Sequence, residues 1–227
     1  DAVDGLRVIR HDSPLGPYEV TLFDQGELQS SKCVDVVGTM AYVGTANGLS
    51  LLDISTPASP IQLGFYGTSG TVSDVHTIGD QAFTLRCCDW ALECLGVANP
   101  SSPLWDAGHS LASTSPKALA IQLPYVYIAD GAGLRILELW EPDFLPVSQV
   151  ETAGDAHEVI VSNRRAYVAD GERGLAVFDV NDPAMPFEIG RFDVPDEAFT
   201  VVRSGNYAYY AGWNGVWALD IHDASAP

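Results

Sequence analysis

The chain has 227 residues and a mass of 24.3 kDa, with 47% apolar residues, which is enough to bury a substantial core and too apolar for a disordered polymer. Eleven Lys and Arg stand against 30 Asp and Glu, and the net charge of −19 would repel nucleic acid or an anionic bilayer over most of the surface. No apolar run approaches the roughly 18 residues that a membrane-spanning helix needs.

The first residue is Asp1, with no Met, basic segment or apolar stretch behind it, so we expect a processed mature form, from which a signal peptide could have been removed, or an excised piece. Lysine occurs only at Lys32 and Lys117. An acid-rich, lysine-poor surface suits salty or extracellular surroundings, where its self-repulsion is screened. The 21 Gly and 14 Pro interrupt the chain too often for long helices and favour short strands joined by tight turns.

In chain order, the predicted elements begin with a strand "GLRVIR", a loop "DSPLGP" and a strand "EVTLF". A first full unit then reads "VDVV", a turn at Gly38, "AYVGT", "GLSLLDI", the loop "STPASP" and "IQLGFY". The second repeats this as "VHTI", Gly79, "AFTLR", "ALECLGV" and "ANPSSP", with "LWDAGH" a poor copy of the last strand. The third has "LAIQ", Leu123, "VYIAD", "GLRILEL", "WEPDFLP" and "PVSQVE"; the fourth "VIVS", Asn163, "AYVAD", "GLAVFDV", "NDPAMP" and "FEIGRF". The chain ends on "VVRS", Gly205, "AYYAG", "GVWALDI" and "DASAP".

The loop prolines give the period. Pro14, Pro57, Pro100, Pro142 and Pro183 are 43, 43, 42 and 41 residues apart, and a second set, Pro17, Pro60, Pro103, Pro146, Pro186 and Pro227, keeps nearly the same step. Four strands in each unit of about 42 residues predict an all-β fold, a β-propeller of four-stranded blades whose faces pack on their neighbours. Twenty-one strands are predicted and five blades need twenty. We therefore expect one propeller domain over residues 1–227 with five blades, the N-terminal strands completing the last one; the alternative is a fragment of a larger propeller.

"AYVADGERGLAVFDVNDPAMP" and "AYVGTANGLSLLDISTPASP" resemble the LVIVD-repeat family of propellers, which occur in secreted and cell-surface proteins of bacteria and archaea. The resemblance covers nearly the whole chain. It implies fold and location, extracellular or at the cell surface, and brings no common reaction or catalytic residue set.

Asp53, Asp179 and Asp220 recur at strand ends before a proline loop, where a carboxylate accepts N–H bonds of the turn. "DGAG" at Asp130 and "DGERG" at Asp170 read as Asp-Gly turns, since they lack the alternating carboxylates of a calcium loop. Cys33, Cys87, Cys88 and Cys94 allow three pairings, and at least one is expected to be disulfide-bonded in an oxidising compartment. Their spacing does not fit zinc.

His11 and His222 fall in proline loops, His109 in a connecting loop and His76 in a strand. His157 starts the fourth unit's first strand, in the register also held by Lys32, Ser73, Lys117 and Phe199, with Asp74 and Glu158 one residue later. In an up-and-down blade these starts lie at the same end as the loops carrying Asp130 and Asp170. Lys32, Asp74, Lys117, Asp130, His157, Glu158 and Asp170 are thus the candidate residues for a protein or small-molecule ligand. Arg203 stands where Val36, Ile121 and Val161 are apolar, and an acidic partner is expected for it if it is buried.

No G-x-S-x-G elbow and no phosphate-binding glycine motif occurs in the sequence. These features favour a non-enzymatic binding or scaffold module without cofactor. The alternative is a hydrolase with a metal-centred channel, calcium being the metal to consider.

Overall fold

The structure, a computed structural model, describes residues 5–10, 16–23, 28, 30–87, 91–111, 115–193 and 197–222. His11 and Cys88 lie outside the described residues. Every extended segment predicted from the repeat forms, and no α-helix occurs among the described residues. The chain divides into two units, Asp1–Ser110 and Leu111–Pro227.

In the first unit, β1 (Leu6–Arg10) and β2 (Tyr18–Phe23) form an antiparallel hairpin. Next come a sheet of β3 (Ser31–Val37), β4 (Met40–Thr45), β5 (Gly48–Asp53) and β6 (Ile61–Gly67), and a sheet of β7 (Val72–Ile78), β8 (Gln81–Arg86), β9 (Ala91–Gly96) and β10 (Leu104–Ser110). Both are antiparallel and ordered as in sequence. β10 corrects the expectation for "LWDAGH": it is a full strand, and His109 lies within it and not in a connecting loop. Its alternation is obscured because the register slips between Trp105 and Ala107, and a bulge of this kind shifts later side chains to the opposite face.

The second unit holds β11 (Pro116–Gln122), β12 (Tyr125–Trp140) and β13 (Asp143–Ala156), then β14 (Glu158–Ser162), β15 (Arg165–Ala169), β16 (Leu175–Asp179) and β17 (Phe187–Phe192). β18 (Thr200–Ser204), β19 (Tyr207–Gly212) and β20 (Gly215–Asp220) form its last sheet. β12 doubles back on itself. A straight strand of its length would span about 50 Å, yet the Leu139 N–H donates to the Pro124 carbonyl at 2.8 Å, so Gly131 (φ 50°) and Gly133 (φ 152°) turn it into the two segments that the repeat predicts.

The core of each unit lies between successive sheets. On β15, Ala166 and Val168 pack with Tyr127 and Ala129 of β12, while Tyr167 and Ala169 pack with Ala208 and Tyr210 of β19. Both faces are covered, which explains the near-continuous apolar strands, and alternating Ala with Tyr lets neighbouring sheets interdigitate. Tyr42, Leu49 and Leu51 meet Val75, Ala82 and Leu95 in the same way in the first unit.

The tight turns follow the sequence. Gly38, Gly79, Asn163 and Gly205 have φ of 61°, 58°, 53° and 59°, the left-handed values expected at these hairpin corners. The proline-loop aspartates act as predicted: Asp53, Asp179 and Asp220 accept the N–H two residues on, from Ser55 at 2.7 Å, Asn181 at 2.8 Å and His222 at 2.9 Å. The Ser55 bond holds the exposed Asp53 carboxyl below the usual carboxylate range. Its contribution to stability is therefore complete above the ordinary aspartate pKa and lost as pH falls through the lower folded value. A carboxyl-carbon NMR titration is expected to find Asp53 below an unfolded-chain aspartate; an unshifted midpoint would contradict this.

Candidate functional site

A slip of pairing register sets the candidate residues apart from the strands that carry them. Between Ser31 and Cys33, Val72 and Asp74, and Pro116 and Ala118 the register shifts, leaving Lys32, Ser73 and Lys117 as the extra residues. His157 and Phe199 repeat the device. Their N–H groups bond to the carbonyls of Ala169 and Ala211 at 2.8 and 3.0 Å, while Glu158 and Thr200 lie opposite the same two residues. A bulge bends its strand and re-aims one side chain, so one position in every repeat is released from the inside-outside alternation.

In the second unit these positions converge. Lys117 Nζ lies 2.5 Å from Asp155 Oδ1 and 3.3 Å from His157 Nδ1. His157 Nε2 is 3.7 Å from Asp155 Oδ2 and 3.5 Å from Glu197 Oε1. The His157 ring meets Phe199 edge to face at 5.3 Å, and Phe199 meets Trp213 at 4.7 Å with the rings 83° apart. Trp213 Nε1 donates to Glu197 Oε2 at 3.1 Å. Lys117, His157 and Phe199 share a register that the repeat reveals, whereas the carboxylates Asp155 and Glu197 and the indole of Trp213 lie outside it. An available signal was Trp213 itself, a large aromatic in the turn "AGWNG" where sister repeats have Ala46 and Gly131.

Glu158 stands beside this cluster, with Oε1 accepting its neighbour Val159's N–H at 3.3 Å. Asp74, in the same register of the first unit, accepts from Val75 at 2.9 Å. Lys32 is exposed and lines a cavity of about 350 Å³ with Gly5, Leu6, Ser31, Cys33, Val34 and Val43.

Asp130 and Asp170, expected among the ligand-binding residues, are buried at 1% and 0% exposure. Asp130 Oδ2 accepts from Arg135 Nε at 2.8 Å, and Asp170 Oδ2 from Arg191 Nη1 at 2.7 Å and the Gly154 N–H at 3.1 Å. Their glycine turns form as predicted, but the carboxylates are committed to the protein. Arg203 is half-buried, short of the burial for which an acidic partner is expected, and its Nη1 donates to Ser162 Oγ of the preceding sheet at 3.0 Å.

No disulfide joins Cys33, Cys87 and Cys94, so the expected bridge is not formed among the described cysteines. Geometry accounts for two of them. Cys94 is buried within β9, and the Cys33 sulfur fills the space beside Gly44 with its S–H directed to the Val72 carbonyl at 3.7 Å. Burial, with help from the Asp74 charge, pushes the Cys33 thiol up to about 12. Since the thiolate is the reactive form, iodoacetamide at mildly alkaline pH is expected to spare Cys33 in the folded chain and modify it after denaturation. Peptide mass mapping reads the result, and rapid native alkylation would refute it.

Among the described residues no group of three His, Cys, Asp or Glu is placed to hold a metal ion. In the cluster it is the Lys117 ammonium that sits between Asp155 and His157. No helix among the described residues is long and apolar enough to cross a membrane.

The LVIVD repeat matches residues 30–68, 153–194 and 197–227, segments that coincide with the sheets β3–β6, β14–β17 and β18–β20. No curated protein matches the sequence. Among solved structures, the crystal structure of the computationally designed Ika8 protein is similar over 89% of this chain, with a TM-score of 0.71 and 11% identity. The match spans 62% of that chain's length, and at such identity it speaks for the fold alone. With three repeats matched and each falling on one antiparallel sheet of a propeller-like array, the chain belongs to the LVIVD-repeat family.

Proposed function

We propose that this chain is a non-enzymatic binding module, extracellular or at the cell surface, which engages a protein or small ligand through the bulged starts of its inner strands. The convergence of Lys117, His157 and Phe199, from three consecutive sheets, carries the reading. Structural positions in a repeat recur, whereas these five bulge residues are Lys, Ser, Lys, His and Phe. The proline loops behave oppositely. They repeat their aspartate turn and lie against the preceding sheet, as where Ser148 Oγ donates to the Pro183 carbonyl at 2.6 Å. The acidic composition supports the extracellular assignment.

Backbone NMR with a library of small cationic, anionic, sugar and peptide fragments tests the binding reading. Perturbations are expected at residues 115–117, 155–158, 197–200 and 213, and to weaken when Lys117 and His157 are both replaced by Ala. Perturbations confined to the proline loops would place the site elsewhere.

Five blades, with the N-terminal strands completing the one that β18–β20 begin, is our proposal for the finer architecture. The β19–β20 register points the N–H groups of Val216, Ala218 and Asp220 away from β19. If a fourth strand covers that edge, their amide exchange is expected to be slow. Exchange as fast as in an exposed loop would leave the edge open.

A further inference from the structure

Trp213 is 76% exposed, and two contacts favour one orientation of its indole. The bond from Nε1 to Glu197 Oε2 at 3.1 Å anchors one edge, and the perpendicular Phe199 ring at 4.7 Å braces the system against His157. Contacts of this kind make an aromatic a partly preorganised platform, because they reduce the rotamer freedom that a ligand would otherwise have to freeze. Its surroundings are anionic. Among the described residues the cluster has two carboxylates, Glu197 and Asp155, with side chains 30% and 59% exposed, and one ammonium, Lys117, which is ion-paired with Asp155 at 2.5 Å.

We propose that Trp213 and Glu197 form the seat for a cationic side chain, an arginine or lysine carried by a basic segment of a partner protein. This rests on the reading that this face binds, and it names the chemistry of what binds there. The indole face presents the negative end of its quadrupole to a cation, more strongly than Tyr or Phe. Glu197 supplies the full negative charge beside it. Beyond the contact, the net charge of −19 draws a basic partner in and repels an acidic one. A neutral sugar could stack on the same indole but would gain nothing from either charge.

The test uses 15N-labelled chain and three probes: a peptide of alternating Arg and Gly, its counterpart with Gln for Arg, and a linear glucose oligosaccharide. Salt is held at about 0.15 M, where fields beyond roughly 8 Å are screened. The Arg peptide is expected to shift the Trp213 indole N–H and the amides of residues 197–200, and the Gln peptide to leave them in place. Trp213→Ala is expected to weaken the Arg peptide about tenfold and Glu197→Gln by several-fold. Trp213→Phe, a control that keeps a smaller ring, should fall between wild type and Trp213→Ala.

Equal affinity of wild type and Trp213→Ala would show that net charge alone draws the peptide, and would overturn the proposal. So would a sugar that shifts the indole while the Arg peptide does not, although the binding reading would survive. If no probe or library fragment perturbs this face, both fail.

Discussion

Replacing Arg135 by Met is expected to destabilise the protein by about 3–5 kcal/mol, the usual result of leaving one member of a buried ion pair behind. The stranded group is the Asp130 carboxylate, with a side chain 0% exposed, which accepts from Arg135 Nε at 2.8 Å. Arg135 is itself only 16% exposed, so a Met in its place leaves the carboxylate with little access to solvent. Arg135→Lys keeps the charge and loses the planar fork, and should recover part of the loss.

The double variant Asp130→Leu/Arg135→Met removes both charges and should recover most of it. The sister repeat supports that logic: at the same two positions the second unit of the repeat has Arg86 and Glu93, 3.7 Å apart with the signs exchanged. The pair there is again one cation and one anion, with the polarity reversed. Arg191→Met should also destabilise, by an amount moderated by the Gly154 N–H that Asp170 keeps. Urea denaturation of the four variants checks these statements together. A loss below about 1 kcal/mol for Arg135→Met would mean that the pair behaves as a surface salt bridge.

The parts of this structure that were legible in the sequence are those governed by local rules. The turns at Gly38, Gly79, Asn163 and Gly205 need left-handed backbone within one hairpin corner, and the bonds of Asp53, Asp179 and Asp220 reach only two residues on. The sheets repeat because the strand period and the proline loops repeat. What escaped notice depends on contacts between strands and sheets. Arg191 is 21 residues from the Asp170 it neutralises, and Arg203 is 41 from Ser162. At Gly96, where an aspartate is missing, the Asp106 carboxylate of the neighbouring strand fills the space a side chain would take. The candidate site was half visible for the same reason: Lys117 and His157 share a register readable from the repeat, while Asp155, Glu197 and Trp213 come from a strand end, an approach segment and a turn.

Gly64→Ala is the second substitution expected to have a large effect, about 1–3 kcal/mol of lost stability, although it adds a single methyl group. Gly64 lies on β6, where the proline loop before β10 crosses it. A Cβ built there would fall on the Pro100 carbonyl oxygen, with the Pro100 carbonyl carbon 3.1 Å and Ser101 Cα 3.2 Å away. All three are backbone atoms, so no side chain can rotate aside; the loop or the strand has to move. The loop is itself tied down, since Ser101 bonds to Asn99 Oδ1 through its N–H at 3.3 Å and its hydroxyl at 2.8 Å. The strain should therefore pass into the contact between the two sheets, where Tyr42, Leu49 and Leu51 pack on Val75, Ala82 and Leu95. Gly79→Ala separates this cause from glycine loss in general: nothing lies within 4 Å of its Cβ, and the cost there comes from a φ of 58°. Thermal unfolding of both variants, with amide exchange of β6 and residues 99–102, reads the difference. Gly64→Ala should loosen exchange across the loop and the sheet contact, and Gly79→Ala only around its own turn; equal exchange patterns would mean that the approach of loop to strand is looser than described.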